Sequence, residues 1–208
     1  MRRVALVAGF AIAALGAAVL AFFVTFRTFR VASASMSPSL HTGDVVLANM
    51  LVYRAVSPRA GDVVVLAAPM ASATLVLKRI LAVPGDTFSI GGGVVRRNGT
   101  IVPEPYLSQA TSYRFAIARK TFIVDGTALD TRDANLLAAE AWTSPDAVPR
   151  GCYLVFGDDR SNSVDSHLFG CDQTDGVFVS GPAAGRAGFV AGRVVRIVYP
   201  FDRAGGLP

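Results

Sequence analysis

The stretch LVLKRILAVPGD, residues 75–86, decides the fold class of this chain. Leu75–Val83 is rich in Val, Ile and Leu and predicts a β-strand, and Pro84-Gly85-Asp86 predicts the turn that ends it. Side chains alternate along a strand, so Lys78 shares one face with Ile80. The predicted strand therefore carries a lysine on an apolar face.

Lys78 has two interpretations. Burying an ammonium group is costly, so a buried lysine lowers its pKa and becomes a neutral amine that can act as a general base. A lysine at the edge of a strand can instead lay its stem along apolar surface and keep its charge in water. The segment alone leaves both open, and Lys78 is a candidate base.

Other runs of the sequence predict further strands. They are rich in apolar and β-branched residues, with Gly-Asp or Pro-Gly steps between them: Asp44–Val52, Asp62–Ala67, Tyr153–Phe156 and Arg193–Tyr199. Asn98-Gly99 lies between Val94–Arg97 and Thr100–Val102 and predicts a β-hairpin, because these two residues tolerate the positive φ angles of its turn. The sequence thus predicts a mostly β protein with an antiparallel β-sheet core.

The domain organisation follows from a change in composition. Residues 104–150 are polar and irregular, with one predicted short helix at Asp133–Trp142. We therefore predict a β core formed by residues 27–87 and 151–208, with residues 88–150 as an inserted, smaller β-rich subdomain.

The N-terminal segment Val4–Phe26 contains no charged residue. As a helix rising about 1.5 Å per residue it would extend roughly 35 Å, enough for a hydrocarbon core of about 30 Å. Arg2 and Arg3 precede it and favour a cytoplasmic N-terminus. We predict a cytoplasmic segment at residues 1–3, one transmembrane signal-anchor helix at residues 4–26, and an extracytoplasmic domain beyond it.

A cleaved signal peptide is the alternative interpretation of this segment. Ala32-Ser33-Ala34 resembles an A-x-A cleavage site. The apolar run is longer than the usual signal-peptide core of about 7–15 residues, and Arg27 and Arg30 separate it from that site. Both features favour the uncleaved anchor.

Charge and composition exclude several other functions. The 208 residues have a formal net charge of +5, and their 18 Arg and two Lys are scattered, so we expect no nucleic-acid binding and a mild attraction to anionic lipid headgroups. The two Cys and two His are too far apart for a recognisable zinc pattern. We predict no metal site and no cofactor.

Two polar stretches contain further candidates for chemistry. SASMSPSL, residues 33–40, has four serine hydroxyls close to the apolar segment, and a hydroxyl needs a nearby base to act as a nucleophile. Lys78, His41 and His167 are the candidate bases. GDDRSNSVDS, residues 157–166, has the composition of a polar turn, and its acidic spacing does not follow the EF-hand calcium pattern.

Taken together and in this order, these stretches resemble the type I signal peptidase family. Residues 33–44 match its Ser-x-Ser-Met-x-Pro-[Thr/Ser]-Leu motif followed by Gly-Asp. Residues 78–86 match its Lys-Arg-[Ile/Ala]-x-x-x-Pro-Gly-Asp motif. Residues 157–166 resemble its Gly-Asp-Asn-Arg-x-Asn-Ser-x-Asp-Ser motif, which the family continues with Arg.

The resemblance implies a role for each matched polar residue. Ser35 would be the nucleophile and Lys78 the general base that takes its proton. The Ser35 backbone N–H and the Ser33 hydroxyl would form the oxyanion hole. Ser163 would orient the Lys78 amine, and Asp165 would hold the polar loop in place. Small substrate pockets for alanine-sized side chains would be lined by Val31, Met36, Leu40, Val76 and Leu77.

The resemblance also implies the function. The β core would be the catalytic domain of a membrane-bound serine endopeptidase that removes N-terminal signal peptides from exported preproteins, using a Ser/Lys dyad and cleaving after Ala-x-Ala-like sites. Its partners would be these signal peptides and membrane lipid, with no nucleic acid, and it would be a monomer. It would cross the cytoplasmic membrane once, with the catalytic domain on the extracytoplasmic face.

Other functions remain open. One is a specialised maturase of the same family, of the pilin or conjugative type, and another is a non-catalytic, membrane-tethered β domain that binds secreted chains. A Ser-His-Asp hydrolase using Ser35 with His41 or His167 is less favoured, because the sequence has no Gly-x-Ser-x-Gly elbow.

Some residues depart from the family pattern. Asp159 stands where the family has Asn, and His167 stands where it has Arg. The ion pair expected at Asp165 therefore depends on whether the imidazole is protonated. Cys152 and Cys171 bracket the polar loop, and the sequence does not decide between a disulfide and two free thiols.

Overall fold

A computed structural model of the chain describes residues 2–67, 75–129, 141–173 and 190–207. The first element is a helix of 24 residues, α1, at Arg2–Thr25. In the part of the chain that the structure describes, no helix meets the length and hydropathy of a membrane span. The transmembrane helix expected at residues 4–26 thus stays a prediction.

Within the described residues, seven strands form the first sheet. They are β1 (Phe26–Arg30), β2 (Val45–Asn49), β3 (Val63–Ala67), β4 (Leu75–Ala82), β11 (Cys152–Phe156), β12 (Asp172–Gln173) and β13 (Val190–Tyr199). Their order across the sheet is β1-β2-β13-β3-β4-β11-β12, and each neighbouring pair is antiparallel. The predicted antiparallel β core is therefore confirmed.

Six strands form the second sheet. They are β5 (Phe88–Gly91), β6 (Val94–Arg97), β7 (Thr100–Ile101), β8 (Phe115–Ala118), β9 (Thr121–Val124) and β10 (Thr127–Ala128). Their order is β10-β9-β8-β5-β6-β7, again with antiparallel neighbours. All six lie within residues 88–150, the range expected for the inserted subdomain.

Two elements illustrate how local sequence produces this fold. Strand β3 has five apolar residues, all of them buried, and it lies between β13 and β4. A run without polar alternation is typical of a strand that is covered on both faces. Asn98 and Gly99 have φ angles of 52° and 77°, and Arg97 pairs with Thr100 across them. These angles are the ones a two-residue hairpin turn requires, so the predicted hairpin is confirmed.

Some predicted boundaries differ from the observed ones. The run Asp44–Val52 forms a strand only over Val45–Asn49, because the Asn49 side chain accepts a hydrogen bond from the Leu51 N–H and a short 3₁₀ turn, Val52–Arg54, follows. In the predicted helix Asp133–Trp142, residues 133–140 lie outside the described residues.

The two sheets share a hydrophobic core. Phe88 and Phe115 of the second sheet pack against Phe156 of β11, with ring centroids 5.6 and 5.7 Å away. Leu81 and Ala82 of β4 belong to the same buried cluster. Aromatic pairs of this kind contribute about 0.5–1.5 kcal/mol beyond their buried area. The second sheet thus packs against β4, which carries Lys78, and against β11, which leads into the polar residues described next.

Candidate active site

Lys78 lies in the buried half of β4, opposite Val64 of β3. Lys78 is only 4% exposed to solvent. Burial lowers the pKa of the Lys78 amine, and the opposing charges of Asp165 and Asp158 do not overcome it. The lysine is therefore inside the protein rather than extended to water, which answers the question that the strand pattern left open.

Among the described residues, the Lys78 amine has one hydrogen-bond partner. Its Nζ donates to the Ser163 Oγ at 2.5 Å. Ser163 belongs to the polar loop of residues 157–165 that follows β11, and it is half-buried. The structure thus brings together two residues that the resemblance assigned as base and orienter.

Ser35 lies in the loop between β1 and β2. This loop is closed at its base by two hydrogen bonds, from the Val31 N–H to the Asp44 carbonyl and from the Gly43 N–H to the Val31 carbonyl, both 2.8 Å. The hydroxyls of Ser33 and Ser35 are 3.2 Å apart. Ser33 is exposed and Ser35 is half-buried, so the pair lies at the protein surface with one side open.

Gly157 is the point where the loop between β1 and β2, residues 31–44, meets the polar loop; we call the former the serine loop. A Cβ on Gly157 would lie 2.3 Å from the Ser163 Oγ and 2.4 Å from the Ser35 carbonyl oxygen. The Asp159 N–H also donates to that carbonyl at 3.0 Å. The close approach of the two loops therefore requires glycine at residue 157, because any side chain would separate them.

Asp165 holds the polar loop from inside. Its carboxylate is fully buried; Oδ2 accepts from the Gly157 N–H at 3.1 Å, and Oδ1 accepts from the His167 N–H at 3.2 Å. The His167 Nδ1 is 2.5 Å from Oδ1. The imidazole therefore occupies the partner position at Asp165 that the family pattern gives to arginine.

A buried ion pair next to Lys78 was not predicted from the sequence. Arg79 donates two hydrogen bonds to Asp158, from Nε at 2.9 Å and from Nη2 at 2.7 Å. The Tyr106 ring lies 4.0 Å from the Arg79 guanidinium carbon. The sequence did contain a signal for this ion pair, namely the adjacent cationic residues Lys78 and Arg79 on one apolar strand. If the Arg79 guanidinium is buried, it needs a carboxylate partner.

A second buried pair joins the polar loop to the inserted segment. Arg160 forms a salt bridge with Glu104 and donates to the Gly157 carbonyl at 2.9 Å and to the Thr111 hydroxyl at 3.1 Å. Glu104 also accepts from the Tyr106 hydroxyl at 2.8 Å. Arg160 thus links the Gly157 carbonyl to Glu104 and Thr111, which lie between β7 and β8 of the second sheet.

A cavity of about 190 Å³ opens beside the two serine hydroxyls. Four of the five predicted pocket residues line it, namely Val31, Met36, Val76 and Leu77, together with Ser33 and Ser35. Leu40 is fully buried in the core and is not among its lining residues, and neither are Lys78, Ser163 and Asp165. The cavity is therefore walled by β1, the serine loop and the exposed half of β4.

Cys152 and Cys171 form a disulfide, with their Cα atoms 5.4 Å apart. It connects β11 to the segment just before β12 and so closes the chain around the polar loop. Among the described residues no cluster of three or more His, Cys, Asp or Glu side chains could hold a metal ion.

Known proteins resemble this chain over most of its length. The family model described as signal peptidase, peptidase S26, matches residues 3–190. Signal peptidase I of Bacillus caldolyticus is 33% identical over 153 residues, covering 74% of this chain and 75% of that protein. A probable signal peptidase I-1 of Synechocystis is 28% identical over 161 residues, covering 74% and 67%. Signal peptidase IB of Staphylococcus aureus is 32% identical over 155 residues, covering 74% and 73%.

The matched regions differ in extent. The match spans 58% of the length of signal peptidase I of Leptolyngbya laminosa. It spans 53% of the length of a second Synechocystis protein, probable signal peptidase I-2. A crystal structure of a signal peptidase I from Enterococcus faecalis is 24% identical, with a TM-score of 0.39, and the alignment covers 57% of this chain and 91% of that one.

Proposed function

The chain belongs to the signal peptidase family, peptidase S26, which is a family of serine endopeptidases, and from that premise we propose that it removes N-terminal signal peptides from exported preproteins with a Ser35/Lys78 dyad. The proposal includes cleavage after Ala-x-Ala-like sites. The observation that supports it most directly is a buried, pKa-lowered lysine amine bonded to Ser163 at 2.5 Å, in a loop that touches Ser35.

The protonation state of Lys78 is the first step of the argument. A lysine with its ordinary pKa of about 10.4 would be almost entirely charged near neutral pH and could not accept a proton. Burial lowers the pKa of Lys78 and so enlarges the fraction with a free lone pair. The hydrogen bond to Ser163 uses an N–H of the amine and leaves that lone pair available for the nucleophile.

The proposed reaction gives each of these groups one role. In the proposed mechanism, the Ser35 hydroxyl attacks the carbonyl carbon of the scissile bond while its proton passes to the Lys78 nitrogen. Collapse of the tetrahedral intermediate breaks the C–N bond, and Lys78 returns the proton to the leaving amine. A water molecule, deprotonated by Lys78, then attacks the Ser35 ester. The acyl C–Oγ bond breaks, Lys78 returns the proton to the Ser35 Oγ, and the signal peptide leaves with a free carboxylate.

The negative oxygen of the tetrahedral intermediate needs donors. The Ser35 N–H and the Ser33 hydroxyl are the proposed pair of donors. The Ser33 Oγ lies 3.2 Å from the Ser35 Oγ, so it is near the carbon that becomes bonded to the Ser35 Oγ and near the oxygen on that carbon. Ser33 is exposed and its hydroxyl can turn toward the incoming substrate. Removing one donor of this kind lowers kcat by about 10²–10³-fold.

The position of the cavity supports the choice of substrate. It lies beside the serine pair and most of its walls are apolar, so it suits an apolar side chain of the substrate, and the choice of alanine-sized residues follows from the family resemblance. Its walls come from two extended segments, β1 and the start of β4, between which a substrate chain can lie as a strand. We therefore assign Val31, Met36, Val76 and Leu77 to substrate binding, and we assign Leu40 to the support of the serine loop.

The membrane location is part of the same proposal. Val4–Phe26 is free of charge, and Arg2 and Arg3 lie before it, so we assign the segment as a single anchor with a cytoplasmic N-terminus. Apolar side chains of α1 are exposed, including Phe10 at 79% and Phe23 at 69%. Lipid is the partner that such side chains suit, and the domain after Arg27 would then lie on the extracytoplasmic face.

The test uses the full chain in detergent and a preprotein with one Ala-x-Ala site. We expect one cut, after the second alanine, identified by N-terminal sequencing of the mature product. Replacing that alanine with Phe in the preprotein should abolish the cut, because the proposed specificity is for alanine-sized residues at this position. Binding of the preprotein without any cleavage would instead indicate the non-catalytic β domain.

A further inference from the structure

The Asp165 carboxylate is the centre of a small buried network. Its Oδ2 binds the backbone of Gly157, the residue at which the serine loop and the polar loop touch. Its Oδ1 faces His167 through two contacts, the backbone N–H at 3.2 Å and the ring Nδ1 at 2.5 Å. A buried carboxylate needs such donors, because without them its charge is costly.

The His167 ring is held in one orientation. It stacks on the Tyr113 ring with centroids 4.3 Å apart and an interplanar angle of 14°. This stacking keeps Nδ1 directed at Asp165 and prevents the ring from swinging to solvent. Tyr113 comes from the segment just before β8, so the second sheet also contributes to the position of this imidazole.

The charged and titratable groups around His167 come from three places. Asp165 faces the ring from its own loop, and Tyr113 faces it from the segment before β8. Beyond Tyr113 lie Arg160 and Glu104, which form a salt bridge with each other. Because those two charges offset each other, the carboxylate of Asp165 is the dominant charge at the imidazole.

Asp165 in turn acts on Lys78. Its negative charge raises the pKa of the Lys78 amine, against the larger lowering caused by burial. A cation beside Asp165 offsets that effect, since the field at Lys78 is then that of a neutral pair.

We propose that His167 is a positioning residue: its ring fixes the Asp165 carboxylate, and its charge, acting through that carboxylate, governs the pH range over which Lys78 can act as a base. The inference rests on the proposed function, because it assigns a regulator to the proposed base. A protonated His167 favours the neutral amine, and a neutral His167 favours the charged one.

The first test compares the pH dependence of kcat/KM in variants of the full chain. His167→Arg provides a permanent cation, and His167→Phe keeps a ring on Tyr113 but removes Nδ1. We expect the rise of kcat/KM to have its midpoint at lower pH in the arginine variant than in the phenylalanine variant, by about half a pH unit or more. The wild-type profile should lie between them.

The control is the other histidine of the chain, His41, which is exposed. His41→Phe should leave the midpoint of the wild-type profile unchanged. A residue with a merely structural role would lower activity at all pH values without moving the midpoint. Coinciding midpoints in the arginine and phenylalanine variants would therefore overturn the inference.

A second measurement does not depend on turnover. The chain has two lysines, so lysine labelled with ¹³C at Cε yields two signals to assign, Lys78 and Lys120. We expect the Lys78 signal to titrate at lower pH in His167→Arg than in wild type, with Lys120 unchanged. If this shift is absent while Ser35→Ala still abolishes cleavage, the His167 inference fails and the proposed function stands. If Ser35→Ala still cleaves, the proposed function itself fails.

Discussion

The Lys78 Nζ donates a 2.5 Å hydrogen bond to the Ser163 Oγ, and this bond joins two residues that are 85 positions apart in the chain. It fixes the amine at the end of a long, rotatable side chain inside the protein. It also depends on Gly157, because the polar loop can approach the Ser35 carbonyl only where no Cβ intervenes. The geometry of the proposed base is therefore set by residues from three separate segments.

Replacing Ser35 with alanine should abolish cleavage. The proposed nucleophile is then missing, and we expect kcat/KM for an Ala-x-Ala preprotein to fall by about 10⁴-fold or more, with an unchanged melting temperature. The matched control is Ser37→Ala, two residues along the same loop, which should retain wild-type turnover. Normal cleavage by Ser35→Ala would refute the assignment of the nucleophile.

Replacing Lys78 with methionine should have an equally large effect. The substitution keeps the length of the side chain and removes the proton acceptor, so we expect the loss in kcat/KM to match that of Ser35→Ala. The double variant should be no worse than either single one, because the two residues act as a unit. Lys120→Met, at an exposed turn, is the control and should be as active as wild type.

The same Lys78→Met variant makes a prediction about stability and pH. The pKa of Lys78 is lowered in the folded protein, so the unfolded chain binds more protons between that lowered value and the ordinary value of about 10.4. The stability of the wild type relative to the variant should therefore rise with pH through this window. At neutral pH the methionine variant should be the more stable protein.

Urea unfolding of both proteins between about pH 7 and pH 10.4, the ordinary lysine value, measures this difference. Lys120→Met, which removes an exposed lysine, is the matched control. A constant difference between Lys78→Met and wild type across the range would mean that the amine is not desolvated in the folded protein.

Removing the Ser163 hydroxyl should slow the chemical step without changing substrate binding. In Ser163→Ala the Lys78 amine loses its partner and samples other orientations, so we expect kcat to fall by about 10- to 100-fold, part of what a positioned base contributes. KM should change little. Ser163→Thr should restore most of the rate, and Ser161→Ala, an exposed hydroxyl in the same loop, should be neutral. An equal loss in the threonine variant would argue against orientation by the hydroxyl.

Breaking the buried ion pair should destabilise the whole domain. In Asp158→Asn the Arg79 guanidinium keeps its charge in a site where its carboxylate partner was 2.7 Å away. We expect the free energy of unfolding to fall by about 3 kcal/mol, because the buried guanidinium loses the carboxylate that accepts two of its hydrogen bonds. Asp202→Asn, at an exposed position, should cost less than about 0.5 kcal/mol. Chemical unfolding of the three proteins measures the difference, and similar stabilities would show that Arg79 does not depend on Asp158.

Local chemistry in the sequence was sufficient for the elements of the fold. The apolar run Asp62–Ala67 predicted a strand, and Asn98-Gly99 predicted a two-residue turn, because each pattern depends on backbone geometry and neighbouring side chains alone. Lys78 and the serine-rich stretch of residues 33–40 could also be singled out as candidates, since both patterns are visible within a few residues, but only the family resemblance selected Ser35 among the four serines. The cytoplasmic, membrane and inserted-subdomain boundaries remain predictions of the same kind.

The pairings inside the site were decided by tertiary structure. Lys78 with Ser163, Arg79 with Asp158, and Cys152 with Cys171 join residues 85, 79 and 19 positions apart. Residue types alone cannot rank such pairs, because their energies depend on distance and burial, which exist only after the strands have packed. The same holds for His167: the sequence presented an imidazole near a carboxylate, but the stack on Tyr113 that directs its Nδ1 to Asp165 forms only in the folded chain.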